Sequence, residues 1–470
     1  LIKGNIMKKS SYFFVLLLAS GMCMSCGEDF LNIKSDMSIA APGKIADYQA
    51  LLDNTTALMN ITAPNSFALI AGEEYWVQTT VWQNLPVTNN RKQHRNAYLW
   101  LDDIYEGEPG QDWNLAYQRI LHANIVLDGL ARITPSAGEQ SEWNNTFGSA
   151  LFFRAWSYHI LAQTFCRPYR RENASGDLGL PLRRDSDPTV SPGRSTLKEL
   201  YDFMVDDLTR AVSLLGDIPQ YKMRPSKLAA LGLLARVYMQ MDDYGRAFTA
   251  IDEALGLNRE LIDYNTLDGT KSYAFIYDYG QSNEEVVFYE EAHNHTIMNS
   301  TRLNVNTDLW NLYAEGDLRR DIFYRTGSGG NIYFRGGYHG RGGNFTGLTL
   351  SEYILIHAEC AVRLERQDVA KTDLQYLATH RYTQGHLPDI GAIEQKDLLA
   401  YVLEERRREM AFRGVRWEDL RRLNKDRSTQ RTLVRTVDGI DYILEPNSPK
   451  YVWPIPEEVI EFNGYQQNDR

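Results

Sequence analysis

Cysteine, proline and positive charge are all scarce in this chain. Of 470 residues only 4 are Cys and 16 are Pro, and two of the cysteines, Cys23 and Cys26, lie near the start. That leaves Cys166 and Cys360, far apart in sequence. A disulfide-stapled fold normally carries four or more cysteines in a framework. Two buried thiols are therefore the simpler reading, and a chain of this length buries an ample core without staples. With 43% hydrophobic and 24% charged residues, and 34 Gly against so few Pro, collagen-like, coiled-coil and wholly disordered chains are excluded. Lys+Arg number 50 against 61 Asp+Glu, a net charge of −11, so no basic footprint for nucleic acid is expected. Motifs that announce chemistry are missing too. There is no His-Glu-x-x-His, no Gly-x-x-x-x-Gly-Lys-Ser/Thr loop and no Gly-x-Ser-x-Gly elbow. Long apolar runs are absent except one, Tyr12–Gly21, which at about ten residues is shorter than the ~20 needed to span a bilayer.

That run follows Met7, Lys8 and Lys9 and precedes Ser25-Cys26. A basic start, a short apolar run and a small residue before cysteine read as an export signal, so residues 1–25 are taken as that signal with upstream residues. Cys26 resembles the lipid-modified first residue of a bacterial lipoprotein. The Gly27-Glu28-Asp29 that follows resembles the acidic stretch of surface-exported lipoproteins of the Bacteroidetes. Several acyl chains on one residue hold a protein stably where a single chain does not. Of the 50 basic residues three lie in the signal and no acid does, so the rest of the chain carries 47 against 61 acids, net −14. An anionic leaflet would repel such a body, and the lipid must be what holds it. Residues 26–45 are expected to act as a polar tether.

Beyond the tether the apolar positions recur at three and four over 46–60, again from Trp113 to Ile133, over about 145–166, and from Ser195 to Leu215. Ser195 or Thr196 supplies a cap and Glu199 an acidic first turn. The segment 168–194, rich in Pro, Gly and Arg, reads as a loop. Residues 226–257 form a helical hairpin: Leu231, Leu234, Ala235 and Tyr238 on one face, then Ala247, Ile251 and Ala254 on the next. Its spacing matches the 34-residue tetratricopeptide pattern, with small residues where two axes approach. A second copy lies at 355–380 (Leu355, Ala358, Ala361; Ala370, Leu374, Leu377). A looser third pairs helix 151–161 with Leu208, Ala211 and Leu214. Since one repeat cannot bury its own apolar face, the expectation is a stack of hairpins in one α-rich body over 46–470, with an N-terminal part to about 280 and a C-terminal part from about 281.

Two stretches break the helical period. Residues 61–110 hold Trp76, Trp82 and Trp100 among Asn, Thr and Pro. Residues 258–348 include a short strand at Glu285–Tyr289, a short helix at Leu309–Arg319, and 327–347, where nine Gly interleave with Tyr333, Phe334, Tyr338 and Phe345. Both read as aromatic-bearing insertions held by the scaffold. Glu290, Glu291, His293 and His295 have the residue types for a divalent cation, but a solvated loop beside a strand explains them better. Glu404, Glu405 and Glu409 sit among Arg406, Arg407 and Arg408 and read as ion-pair packing rather than an acid–base pair. No metal, cofactor or catalytic group is expected.

The last fifth of the chain carries a family pattern. Residues 405–422 read ERRREMAFRGVRWEDLRR, and 451–468 read YVWPIPEEVIEFNGYQQN. With the cysteine leader, the 355–377 hairpin and the Trp113, Tyr117, Ile120, Asn124 series, these resemble the SusD/RagB family of surface glycan-binding lipoproteins. Glu405, Arg406, Glu409, Phe412, Gly414, Arg416, Trp417, Asp419, Leu420 and Arg422 match its first motif, with Met410 for Leu and Arg413 for Glu. Pro454, Ile455, Pro456, Glu458, Val459, Asn463, Gln467 and Asn468 match its second, with Asp469 for Pro. The resemblance implies a mostly α, tetratricopeptide-like scaffold with irregular loop insertions and minor β hairpins. It also implies a non-catalytic, lipid-anchored protein on the outer face of the outer membrane. Such a protein captures oligosaccharide for a SusC-like TonB-dependent transporter in nutrient uptake. A tetratricopeptide-like protein-recruitment module and a surface glycan-processing enzyme are the alternatives. No fixed family signature marks the ligand site, so residue type and context choose Trp76, Trp82, Arg91 and Asn96 in the first insertion and Tyr333, Tyr338 and Arg341 in the second. Flat rings stack on sugar C–H faces, while amides and guanidinium groups meet the hydroxyls. Each Trp has a competing role as a core plug beneath its loop.

Overall fold

The structure, a computed structural model, describes residues 42–87, 91–292, 296–299, 301–327 and 329–470. The export signal, the lipidated Cys26, nearly all of the tether, and His293 and His295 lie outside the described residues. Lys44–Arg470 form one compact unit. Among the described residues no helix is long and apolar enough to cross a membrane.

Among the described residues ten helices have eight or more residues: α1 (Ile45–Leu52), α2 (Gln111–Leu130), α3 (Gln140–Phe165), α4 (Leu197–Leu214), α5 (Lys227–Gln240), α6 (Tyr244–Leu257), α7 (Leu350–Arg363), α8 (Gln367–Arg381), α9 (Gln395–Glu409) and α10 (Arg416–Leu423). Each of α2 to α6 packs on the next, α6 packs on α7, and α7 packs on both α8 and α9. The fold is mostly α, as the repeat spacing implied. Among the described residues its β content is limited to two-stranded pairs such as Tyr75–Val77 with Leu303–Val305, Tyr324–Thr326 with Ile332–Phe334, and Leu433–Val437 with Ile440–Leu444.

Local chemistry sets the helix ends. Thr196 caps α4, accepting from the Glu199 N–H while the Glu199 carboxylate takes the Thr196 N–H, a reciprocal capping box. Asp243 caps α6 by accepting from the Arg246 N–H, and Asp242, at φ 56°, makes the sharp turn out of α5. The α9–α10 turn needs positive φ at both Phe412 (62°) and Gly414 (76°). Small residues set helix approach: a Cβ on Gly232 in α5 would fall 1.9 Å from the Tyr353 hydroxyl of α7.

Several boundaries differ from the sequence reading. The helix expected over 46–60 stops at Leu52, followed by a wide turn over Thr55–Met59. The stretch 61–110 contains three short helices, Ser66–Ala71, Thr79–Gln83 and Lys92–Tyr98, each too brief to show a period. The helix expected at Leu309–Arg319 is two fragments, Thr307–Trp310 and Arg319–Phe323. The loop 168–194 contains strand Leu178–Pro181, paired with Arg194–Thr196.

The family motifs are a scaffold lock. Trp417 stacks on Tyr451 (4.7 Å) and Trp453 (5.7 Å), and Trp453 on Phe67 (5.0 Å), tying both ends of the body together. Arg406 reaches Asp419 at 2.8 Å, and Arg422 grips Glu359 at 2.6 and 2.7 Å. Arg416 pairs with Glu73, while Glu409 is held by Arg319 and Arg381 and Asp419 by Arg406 and Arg422. Cys166 and Cys360 are both free and buried.

Candidate functional site

The two insertions bring some of the expected residues to the surface and sink others. Tyr338 is 1% exposed. Its hydroxyl bonds the Tyr264 hydroxyl at 2.6 Å and the Glu285 carboxylate, and the Arg413 guanidinium lies 3.8 Å from its ring centre. No face remains for a ligand, which corrects its assignment. Its glycine-rich neighbourhood misled the reading, since Phe275 and Phe323 from outside that stretch pack on it together with Phe345 from within. Asn96 is also buried, with its amide committed to the Ile104 carbonyl (3.3 Å) and Glu106 (2.7 Å), so it holds a loop together rather than facing solvent. Trp82 is half-buried. Its indole N–H donates to the Arg95 carbonyl (3.3 Å), and the Arg95 guanidinium covers its ring at 4.0 Å. Arg91 is exposed at the start of Lys92–Tyr98. Trp76 stands 39% exposed on the strand opposite Asn304, and Leu303–Val305 also packs on Ile332–Phe334, which carries the half-buried Tyr333. Trp100 and Tyr105 are core residues.

Arg341 is the residue around which an open surface forms. One Nη reaches both carboxylate oxygens of Glu291 (2.9 and 3.1 Å), and the guanidinium lies 4.1 Å from the Tyr277 ring centre. Tyr277 and Tyr279, 40% and 37% exposed, meet at 5.1 Å, and Tyr279 packs edge-on against buried Tyr289 at 5.9 Å. Tyr289 in turn donates its hydroxyl to Glu291 at 3.2 Å. Tyr273 and Ile276 extend this exposed face.

The glycines explain how the loop lies so flat. A Cβ on Gly340 would sit 2.5 Å from the Tyr277 backbone nitrogen, and one on Gly336 would sit 3.2 Å from the Tyr273 ring. Gly340 also takes φ 73°. His339 is buried beneath and accepts from the Gly343 N–H; burial drives its pKa down to about 3, so the imidazole is neutral and serves as a loop fastener. The Tyr277 phenol is pushed up to about 12 by desolvation and by its hydrogen bond with Tyr279, so it stays protonated in ordinary buffers.

This surface offers flat aromatic faces beside an oriented guanidinium and phenol hydroxyls, a combination that stacks on C–H faces and hydrogen-bonds hydroxyl groups. Among the described residues no group of three or more His, Cys, Asp or Glu could hold a metal ion. Glu290 and Glu291 are taken by Arg119 with Trp156 and by Arg341 with Tyr289. Sequence reasoning missed Tyr273, Tyr277 and Tyr279. The available signal was Tyr273-Ala-Phe-Ile-Tyr-Asp-Tyr279, an aromatic cluster in a stretch with no helical period.

Comparison with known proteins places the scaffold. The SusD-like family described as "Starch-binding associating with outer membrane" matches residues 29–239, and the SusD family matches 265–469. SusD-like protein P2 of Formosa agariphila is 23% identical over 89% of this chain and 91% of its own length. A putative sugar binding protein from Bacteroides vulgatus superposes with TM-score 0.71 at 19% identity, covering 92% of this chain and 99% of its own. A SusD superfamily protein from Bacteroides fragilis does so with TM-score 0.72 at 20% identity, covering 90% and 98%. With both halves matched and the same fold throughout, this chain belongs to the SusD/RagB family.

Proposed function

We propose that the protein is a non-catalytic glycan-binding lipoprotein of the outer-membrane surface, anchored through Cys26, which presents oligosaccharide to a SusC-like TonB-dependent transporter. The observation that carries this reading is the exposed Tyr277–Tyr279 pair with Arg341 locked by Glu291. Two rings held by a buried neighbour and an ion pair lose little side-chain freedom on binding, so a sugar face gains stacking energy at small entropic cost. Family membership and the names of the structural relatives support the ligand class. Trp76 and Tyr333, on two strands that each pack on Leu303–Val305, add further partly exposed aromatic surface. The recruitment alternative fares worse at the central repeat, because every residue from Leu228 to Gln240 in α5 is buried and offers no groove. Tethering beside a transporter mouth raises the effective ligand concentration there.

The test is a glycan screen followed by calorimetry with the best binder. Tyr277→Ala should weaken binding at least about thirtyfold, the loss of ~2 kcal/mol at a central aromatic. Tyr333→Ala should cost less. Wild-type affinity in folded Tyr277→Ala and Tyr279→Ala would move the site elsewhere. Cys26→Ala should abolish membrane partitioning, and detergent co-purification should recover a large β-barrel partner.

A further inference from the structure

A cavity of about 330 Å³ opens between the short helices Thr307–Trp310 and Arg319–Phe323 and the strand Tyr324–Thr326, and it shares no residue with the tyrosine surface. Pockets for small ligands span roughly 300–1,000 Å³. Its polar side chains are open to solvent: Glu315, Asp321 and Arg325 are exposed, and Arg320 and Thr383 are half-buried. Among the described residues the side chains of Arg320, Arg325 and Asp321 have no hydrogen bond or ion pair, and Glu315 meets only His386, at 3.8 Å. The Arg320 guanidinium lies 4.5 Å from the Trp310 ring centre, and Tyr324 braces that indole edge-on at 5.7 Å. This repeats the arrangement of Arg341 over Tyr277, a flat donor laid against a ring with N–H groups to spare. Two guanidinium groups stand against two carboxylates, so the cavity favours neither an anion nor a cation. Donors and acceptors side by side match hydroxyl groups, which act as both. Arg335 ties the cavity to the tyrosine surface. Its Nη1 donates to the backbone carbonyls of Asp321 (3.0 Å) and Gly269 (2.7 Å), and its Nε to that of Ser272 (3.2 Å), which precedes Tyr273. A Cβ on Gly269 would sit 3.1 Å from the Asp321 Cβ, so the two segments touch. On the other side Arg325 is the cross-strand partner of Tyr333.

We infer that the ligand site is longer than the tyrosine surface and takes an uncharged oligosaccharide. One sugar unit rests on Tyr277 and Tyr279, the chain runs past Tyr273, and a further unit enters this cavity. There Arg320 and Arg325 donate to its hydroxyls, and Asp321 and Glu315 accept from them. The inference rests on the sugar-binding reading above and adds the length and the neutrality of the ligand. Once one end of a chain is bound, the other meets its subsite at high effective concentration, so fragments long enough to reach both bind more tightly.

A length series tests this. Fragments from the disaccharide upward, made by partial hydrolysis of the best-binding glycan of the screen, are titrated calorimetrically into the purified full chain. Affinity should rise with length until the cavity is reached and then level off. Arg325→Ala and Asp321→Ala, both at exposed positions, should weaken the longest fragment about fivefold or more and leave the disaccharide unchanged. Tyr277→Ala should weaken both fragments. Circular dichroism and melting check that each variant folds. Affinity already level at the disaccharide, or wild-type binding of the longest fragment by both cavity variants, overturns the inference; if Tyr277→Ala is still impaired, the tyrosine surface stands. Wild-type binding by Tyr277→Ala defeats the tyrosine surface and the continuous site with it, as does the absence of any glycan ligand. A screen whose best binder is a uronate or a sulfated glycan refutes the uncharged class.

Discussion

Replacing Arg381 by Met should expose how the scaffold is held. The Arg381 guanidinium sits between Glu285 (2.7 and 2.9 Å) and Glu409 (3.0 Å to each oxygen), donates to the Ile262 carbonyl at 3.0 Å, and lies 4.0 Å from the Tyr264 ring centre. All three charged side chains are wholly buried. Methionine fills much of the volume but leaves the carboxylates. Glu409 keeps Arg319 at 3.0 Å, whereas Glu285 is left with only the Ile262 N–H and the Tyr338 hydroxyl. Breaking a buried pair from one side costs about 3–5 kcal/mol. For a body of roughly 430 residues the unfolding entropy is about 0.9 kcal/mol/K, so the melting temperature should fall by about 3–6 °C. The sign with pH follows from the charges. In the wild type burial would raise the Glu409 carboxyl, but Arg381 and Arg319 hold it well below the usual range, so its stabilisation is present above an unfolded pKa near 4.5 and fades as pH falls. In the variant the penalty comes from an unpaired carboxylate and shrinks once that group takes a proton. The gap between the two melting curves should therefore narrow from pH 7 to pH 5, and Glu285→Gln added to Arg381→Met should recover at least about 1 kcal/mol. Calorimetric melts of the three proteins across that range provide the assay. A single variant melting within about 1 °C of wild type at pH 7, or a gap that widens on acidification, would refute the reasoning.

Glu74 behaves oppositely: burial pushes its carboxyl up to about 7 although it accepts from the Phe412 N–H, so the native state keeps a proton that the unfolded chain releases near 4.5, and stability is lost as pH rises through that window. Glu74→Gln keeps the acceptor without the charge and should melt higher than wild type above pH 7, by on the order of 2–3 kcal/mol, while matching it near pH 4.5; equal pH profiles would contradict this. Gly232→Ala should destabilise by about 2 kcal/mol in denaturant titration. The ~1 kcal/mol helix-propensity gain is outweighed by displacing the Tyr353 ring, whose hydroxyl is anchored to the Leu228 carbonyl at 3.0 Å. Reducing agent should leave the melting temperature unchanged, since burial raises the Cys166 thiol to about 11, Cys360 donates to Met239 at 3.3 Å, and neither is joined to another cysteine.

The scaffold was legible because its chemistry repeats along the chain. Alanines at 235 and 247 and the tyrosine at 238 announce a helical hairpin, and the fully buried α5 that results needs only their spacing. Glu405, Glu409 and the arginines beside them showed that ion pairs would pack there. Their partners were hidden: Arg319, Arg381 and Glu73 come from 28 to more than 300 positions away, and nothing local reports such pairing. The same limit explains why one short helix was read as continuous over Leu309–Arg319. Asp317 in that stretch pairs with Arg319 instead of continuing a turn.

Site residues are harder for a related physical reason. An aromatic in an irregular stretch is exposed or buried according to what a distant segment puts beside it. Tyr338 and Arg341 are three residues apart in one glycine-rich loop, yet Tyr264, Glu285 and Arg413 bury the first while Tyr277 merely leans on the second. Glycine leaves the choice open, because without side chains of its own the loop takes whatever shape its neighbours impose. The strand after Glu285 is the element that decides. Glu285 pulls Tyr338 inward, Tyr289 props Tyr279 outward, and Glu291 aims Arg341 across Tyr277, so alternate partners on one short segment separate core from surface. If this account is right, weakening Glu291 should disturb the open face more than the fold. Glu291→Gln removes the charge that orients Arg341 but keeps an acceptor for the Tyr289 hydroxyl. It should therefore lower glycan affinity several-fold while shifting the melting temperature by no more than about 1 °C, the scale of a partly exposed pair. A large loss of stability with unchanged affinity would instead make the 285–291 segment a structural strut with no part in shaping the surface.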